Sequence, residues 1–370
     1  MQGNKHADRI LCKMITMKKI KFPKDELSHR NIVEWWYFNG HLESRNNKKY
    51  SYMHCLFKID AKKIVEKLGT PLSSKIPLKP VYFFNTIILD ISKRKSHKTI
   101  NIISRVSDKS FSRKMLFIAY QNYIDTKFDF VNLRKYFKKN FNHEINEEKN
   151  FEYGLKTEHL DLKLKSVKEP LLESGTGYVN LNGKKTCYYS LTNLKTSGTI
   201  KIEGKTVKIR GKSWMDHQWT DVVEKNKWTW FSIQLDNSTE IVCFEYDDGK
   251  VKTRLAGISY PDNSQKHTNK VFFTHTPAEW KSQATKAKYN LNWKIRIPSK
   301  KIYLETHPFV KNQEMLLGTI NYWEGPIAVA GTFNGKKVRG RGFLEIVGRP
   351  ANFVSIAFLK YALKEVLGKN

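Results

Sequence analysis

The segment Glu34-Trp35-Trp36-Tyr37-Phe38-Asn39-Gly40-His41-Leu42-Glu43 returns in altered form as Lys227-Trp228-Thr229-Trp230-Phe231-Ser232-Ile233-Gln234-Leu235-Asp236. Aromatic, polar and leucine positions keep their order, and internal repetition constrains a fold more than any local signal does. A second pair agrees: Ile209-Arg210-Gly211-Lys212-Ser213-Trp214-Met215-Asp216 aligns with Val338-Arg339-Gly340-Arg341-Gly342-Phe343-Leu344-Glu345. Just before these, Gly198 to Gly204 matches Gly325 to Gly331 as a Gly-bounded stretch. Two copies of one domain follow, each opening with an aromatic strand and closing with a hairpin.

A chain of 370 residues has room for two such domains. Hydrophobic residues at 40% and aromatics at 13% indicate a globular protein. Cys12, Cys55, Cys187 and Cys243 stand singly, without the spacing of a metal site or a disulfide framework, and read as buried thiols in a reducing compartment. No apolar run is long enough for a signal peptide or a membrane span, so the expected location is cytoplasmic. The net charge of +31 raises the question of nucleic acid or anionic membranes. Lysines are spread along the whole chain and no nucleic-acid-binding motif is present, which favours a solvated basic surface and no specific nucleic-acid partner.

Short β-branched and aromatic runs bounded by Gly, Asn and Asp predict strands over Tyr50–Ile59, Val81–Ile91, Thr99–Val106, Tyr178–Leu181, Cys187–Leu191 and Glu240–Tyr246. Asn182-Gly183 and Asn334-Gly335 are hairpin turns, since a type I′ turn needs positive φ at both central residues. Arg134–Phe141 reads as a short helix, and Asn352–Leu367 as a C-terminal amphipathic helix with a modest basic face, which leaves transient membrane-surface contact open. The expected units are residues 25–216, 217–350 and the helix 351–370.

Strand alternation sorts the aromatic repeat into two faces. Phe38, Gly40 and Leu42, with Phe231, Ile233 and Leu235, form an ordinary core face. Trp35, Tyr37, Asn39 and His41, with Trp228, Trp230, Ser232 and Gln234, combine large aromatics with hydrogen-bonding groups. Such a face suits a ligand cavity wall or a domain interface with satisfied polar groups.

The densest polar constellation is Trp214-Met215-Asp216-His217-Gln218-Trp219, whose second-copy counterpart keeps Glu345 alone. As strand neighbours, Asp216 and His217 point apart, so each needs its own partner. A buried imidazole bonded to backbone is the plain alternative for His217. Glu34, Glu324 and Asp247-Asp248 are the other acids of interest, the last pair also reading as a turn before Gly249. Gly-rich phosphate loops, serine-nucleophile elbows and metal-ligand spacings are absent from the sequence, so no metal or cofactor is expected.

The segments EWWYFNGHL (34–42), YYSLTN (188–193), GKSWMDHQW (211–219), WTWFSIQLD (228–236), YWEG (322–325) and GRGFLE (340–345) together resemble the lipocalin-like carotenoid 1,2-hydratase family of AttH/CrtC type. The resemblance implies an all-β fold of two tandem lipocalin-like, calycin-type β-barrel domains related by pseudo-twofold symmetry. It also implies a cofactor-free hydratase that protonates an alkene of an apolar isoprenoid or polyene and lets water capture the cation. The expected acid is Asp216 or Asp248, with His217 orienting water and Trp219, Trp228, Trp230, Gln234 and Tyr246 lining the ligand site. A polyene cyclase, or a non-catalytic carrier of a hydrophobic small molecule, fits the same barrel. Because His217 and Trp219 lack second-copy equivalents, one cavity is expected, built by the second aromatic strand with the first copy as its buttress.

Overall fold

A computed structural model describes residues 19–22, 24–26, 28–60, 63, 81–103, 118–119, 151–222, 227–277, 279–317 and 320–348. The expected helices over 134–141 and 351–370 lie outside these residues. The first sheet is built from β1 (Val33–Ser44), β2 (Lys49–Ile59), β3 (Val81–Asp90), β4 (Lys95–Ile103), β5 (Ile118–Ala119), β6 (Glu152–Lys156), β7 (Leu160–Ser166), β8 (Leu171–Leu172), β9 (Tyr178–Leu181), β10 (Lys184–Ile202) and β11 (Lys205–Thr220). Then follow β12 (Lys227–Leu235), β13 (Glu240–Asp247), β14 (Lys252–Ser259), β15 (Gln265–Thr268), β16 (Phe272–His275), β17 (Glu279–Lys281), β18 (Lys288–Asn290), β19 (Trp293–Ile297), β20 (Ile302–Pro308), β21 (Glu314–Leu317), β22 (Ile320–Phe333) and β23 (Lys336–Val347). All of these but the β17–β18 ribbon belong to the second sheet.

The spatial orders are β4-β3-β2-β1-β11-β10-β7-β6-β5 and β15-β14-β13-β12-β23-β22-β20-β19-β16, the same path traced twice except at its last step, where β5 runs parallel to β6 but β16 antiparallel to β19. The repeat read from the aromatic segments is therefore a repeat of topology. Asn182-Gly183 and Asn334-Gly335 both adopt positive φ at their two residues, as their hairpins require. Among the described residues neither hydrogen-bonded path closes on itself, so the lipocalin-like units are open sheets there rather than closed barrels. A boundary at Asp216 would cut β11, which pairs with β1 through Thr220 and lies wholly in the first sheet.

The glycine match also changes. Gly198 pairs with Leu162 of β7, and Gly331 pairs with Leu304 of β20, so Gly198 corresponds to Gly331 and not to Gly325. At each position an added Cβ would lie 2.0 Å from a carbonyl oxygen of the neighbouring strand, Asp161 or Tyr303. That close approach between strands is what the glycine permits.

Three apolar layers result. Trp36, Phe38 and Leu42 pack inside the first sheet with Leu162, Tyr189 and Met215. Phe231, Ile233 and Leu235 pack inside the second with Ile295, Leu304 and Leu344. Between the sheets, Tyr37, Trp214, Tyr188, Trp230, Phe244, Tyr246, Tyr322 and Phe343 form a third layer.

Candidate active site between the sheets

The two polar-aromatic faces meet each other in this third layer. Tyr37 and Trp230, equivalent positions of the two copies, touch edge to face with ring centroids 5.3 Å apart. Asn39 Nδ2 donates to Ser232 Oγ at 3.3 Å, and His41 Nε2 bonds to the Gly342 carbonyl at 3.1 Å. Gln234 donates to the Thr192 and Ser213 carbonyls at 2.8 and 3.0 Å. Both copies thus build one layer jointly, which replaces the expectation of a second-copy cavity with a first-copy buttress.

Carboxyls occupy the middle of the layer, Asp216, Glu324 and Glu173 buried and Glu345 half-buried. Asp216 stands opposite Tyr37 and Ser190 in the first sheet, and Glu345 stands opposite Trp230 and Glu324 at the equivalent place in the second. Asp216 accepts from the Tyr188 hydroxyl at 2.7 Å, the Ser190 hydroxyl at 2.6 Å and the Trp214 indole at 2.7 Å. Trp230 donates to the Tyr188 hydroxyl at 2.9 Å, and Tyr37 donates to Glu324 at 2.7 Å, so hydrogen bonds cross between the copies in both directions. The Trp228 indole bonds Glu345. Glu173 lies 3.3 Å from Ser190 Oγ, beside Asp216.

Burial dominates the electrostatics. It pushes Asp216 up to about 7, although its three donors pull the other way. Burial, with the charge of Asp216 adding to it, pushes Glu345 up to about 8 despite the Trp228 bond. Burial and then neighbouring acids hold Glu324 and Glu173 well above the usual carboxylate range. These carboxyls raise one another's pKa, so Glu345, Glu324 and Glu173 retain protons at neutral pH. Half-buried Trp35, Phe57, Trp228 and Leu255 edge the layer beside them.

His217 and Trp219 face the other way. His217 Nε2 bonds Glu34 at 2.9 Å inside the first sheet, and Trp219 stacks on His29 with centroids 3.8 Å apart. Neither shares a site with Asp216, because the alternation of β11 sends odd and even residues to opposite layers. Burial lowers the His217 imidazole to about 4, against the pull of Glu34. Burial would raise Glu34, but its bonds from His217 and His29 outweigh this and hold it at about 2. His29, Glu34 and His217 bring three ligand atoms within 4.8 Å of one another, a spacing suited to a divalent cation. The Lys58 ammonium, 3.7 Å from the same carboxylate, already supplies positive charge there.

Asp248 is also removed from the layer. Its carboxylate closes a turn, accepting the Lys250 and Val251 backbone N–H groups at 2.9 Å each and the Asn182 amide at 2.7 Å, and these bonds keep it ionised. An anion held this way cannot act as an acid near neutrality. Of the residues expected at the site, Asp216, Trp228, Trp230 and Tyr246 share the inter-sheet layer, with Gln234 farther along it. Glu345, Glu324, Glu173 and Tyr188 join them. Glu345 was visible as the counterpart of Asp216, whereas nothing local marks Glu173 as buried.

An AttH-like family model matches residues 13–349. The chain belongs to the AttH-like family. A dehydratase, asqC, of Emericella nidulans is 24% identical over 203 residues, covering 50% of this chain and 57% of that protein. Kievitone hydratase of Fusarium solani subsp. phaseoli is 24% identical over 204 residues, covering 50% and 56%. The chain thus spans little more than half the length of these curated relatives. An AttH-type crystal structure from Nitrosomonas europaea superposes with a TM-score of 0.67 at 20% identity, over 91% of this chain and 99% of that one, so the AttH-like chain shares its lipocalin-type fold.

Proposed function

We propose that this AttH-like chain is a hydro-lyase that adds water to, or removes it from, an apolar isoprenoid or polyene, using the inter-sheet carboxyls as its proton store. The observation that carries the reading is the pair Asp216 and Glu345, held at about 7 and about 8 among aromatic rings. Hydration needs such a group. The carboxyl O–H breaks as a C–H bond forms on the alkene, leaving a tertiary cation and a carboxylate. Water then adds to the cation, and the proton it sheds restores the acid. The faces of Trp230, Tyr37 and Tyr246 shield the cation while it lasts. Dehydration runs the same steps in reverse. The hydratase and dehydratase among the relatives support this class of reaction. On this reading the reaction needs no cofactor and takes place in the cytoplasm, in keeping with the free thiols of Cys55, Cys187 and Cys243. Among the described residues no helix is long and apolar enough to cross a membrane.

The test is incubation of purified protein with lycopene-type and prenyl alkenes, and with the matching tertiary alcohols, in isotopically labelled water. Label should enter the product, and Asp216→Asn or Glu345→Gln should slow turnover by about 100-fold or more while the fold persists. No conversion in either direction, or full activity in both variants, would remove this mechanism.

A further inference from the structure

Beyond the Asn39–Ser232 rung, at the opposite end of the inter-sheet layer from the acids, lies an open cleft of about 830 Å³. Its walls are the repeated segments themselves: Arg210-Gly211-Lys212 on β11 faces Arg339-Gly340-Arg341 on β23, and Lys195 of β10 joins them. Two acids, Glu43 and Asp236, line it as well. Both are already engaged. Glu43 pairs with Lys49, and Asp236 accepts the Arg339 backbone N–H at 3.1 Å. Among the described residues none of the five cationic side chains forms a salt bridge with a carboxylate. Like charges converging on one concave surface repel, and the symmetry of the repeat doubles the effect.

His41 is 8% exposed, and its Nε2 is used by the Gly342 carbonyl, but its Nδ1 has no partner. Burial, with the Arg341 charge beside it, lowers this imidazole to about 3. The ring is therefore neutral, Nε2 carries the hydrogen given to Gly342, and Nδ1 is a bare acceptor. Nδ1 is closed off from solvent while the cleft is open, so it lies behind the cleft wall rather than on it.

We propose that this cleft binds a phosphorylated small molecule with at least two negative charges, the phosphate held by Arg210, Lys212, Arg339 and Arg341. Guanidinium groups match phosphate oxygens in pairs, and the two Arg-bearing strands approach it from opposite sides. The volume lies within the range of small-ligand sites, about 300–1,000 Å³. A nucleic acid would instead need an extended basic stripe, whereas these charges converge. The site stands independently of the hydro-lyase reading, since none of Asp216, Glu345, Glu324 and Glu173 lines it.

Calorimetric titration of the full chain with inorganic pyrophosphate and with glycerol phosphate tests it, at low and at physiological ionic strength. One saturable site per chain is expected for both, weakened about tenfold or more by the double variant Arg210→Gln/Arg341→Gln. The pair Lys163→Gln/Lys201→Gln removes the same charge from exposed strand positions outside the cleft and should leave affinity within about twofold. Absence of saturable binding, or equal loss in both double variants, overturns the proposal. So does tighter binding of duplex DNA with no competition from pyrophosphate, which would identify a diffuse basic surface.

Discussion

Asp216 accepts three hydrogen bonds, from Tyr188, Ser190 and Trp214, and still holds its proton to about 7, because burial outweighs them all. Glu345 behaves alike, at about 8. Both lie above their unfolded values, so the folded state binds more protons through that window, and stability from these groups is lost as pH rises from about 4 to about 8. Glu34 and His217 act in the opposite sense. With Glu34 held at about 2 and His217 at about 4, they lose stability as pH falls below the values of the unfolded chain. Accordingly, Asp216→Asn and Glu345→Gln should each raise stability relative to wild type at about pH 9, by up to roughly 1–3 kcal/mol, with little gain near pH 4. Denaturant melts across that range measure the difference; equal offsets at both ends would mean that the shifts are absent. Alternation along β11 was enough to predict that Asp216 and His217 diverge. Their destinations were not legible, because Glu34 is 183 residues from His217 and Glu324 is 287 from Tyr37. Asp248 misled because a carboxylate before glycine serves a turn as readily as a reaction, and the choice rests on Asn182 across the surface.

At the scale of elements, β1 and β12 were readable in full: the apolar face packs inside its own sheet, and the aromatic-polar face turns outward. Cavity wall and domain interface were both open for that outward face, and among the described residues it forms the interface between the sheets, with the acids in it. The glycine alignment failed for a definite reason. Gly198 and Gly331 are set by β7 and β20, strands that the local Gly-bounded pattern does not contain. Gly198→Ala and Gly331→Ala should each cost more than about 2 kcal/mol, since the new methyl group meets a backbone carbonyl that cannot swing away. Gly335→Ala, with open space around it, should cost only about 1 kcal/mol for its positive φ. Urea melts of the three variants decide this, and equal losses at all three would sink the packing argument.

In the whole molecule, the two sheets are joined by bonds that run both ways across the pseudo-twofold axis. Tyr37 reaches from the first copy to Glu324, Trp230 from the second to Tyr188, and Lys168 forms a buried pair with Glu240. Duplication thus placed two equivalent carboxyls, Asp216 and Glu345, in a shared apolar layer, with a cationic cleft farther along it. Asp216, in the middle of the layer, keeps its proton far above the usual carboxylate range. Infrared difference spectra of protein with isotopically labelled aspartate, recorded against Asp216→Asn from about pH 5 to pH 9, test it most directly. A protonated-carboxyl band that belongs to Asp216 and disappears with a midpoint of about 7 is the result expected. An Asp216 that is fully ionised across the whole range would contradict the account.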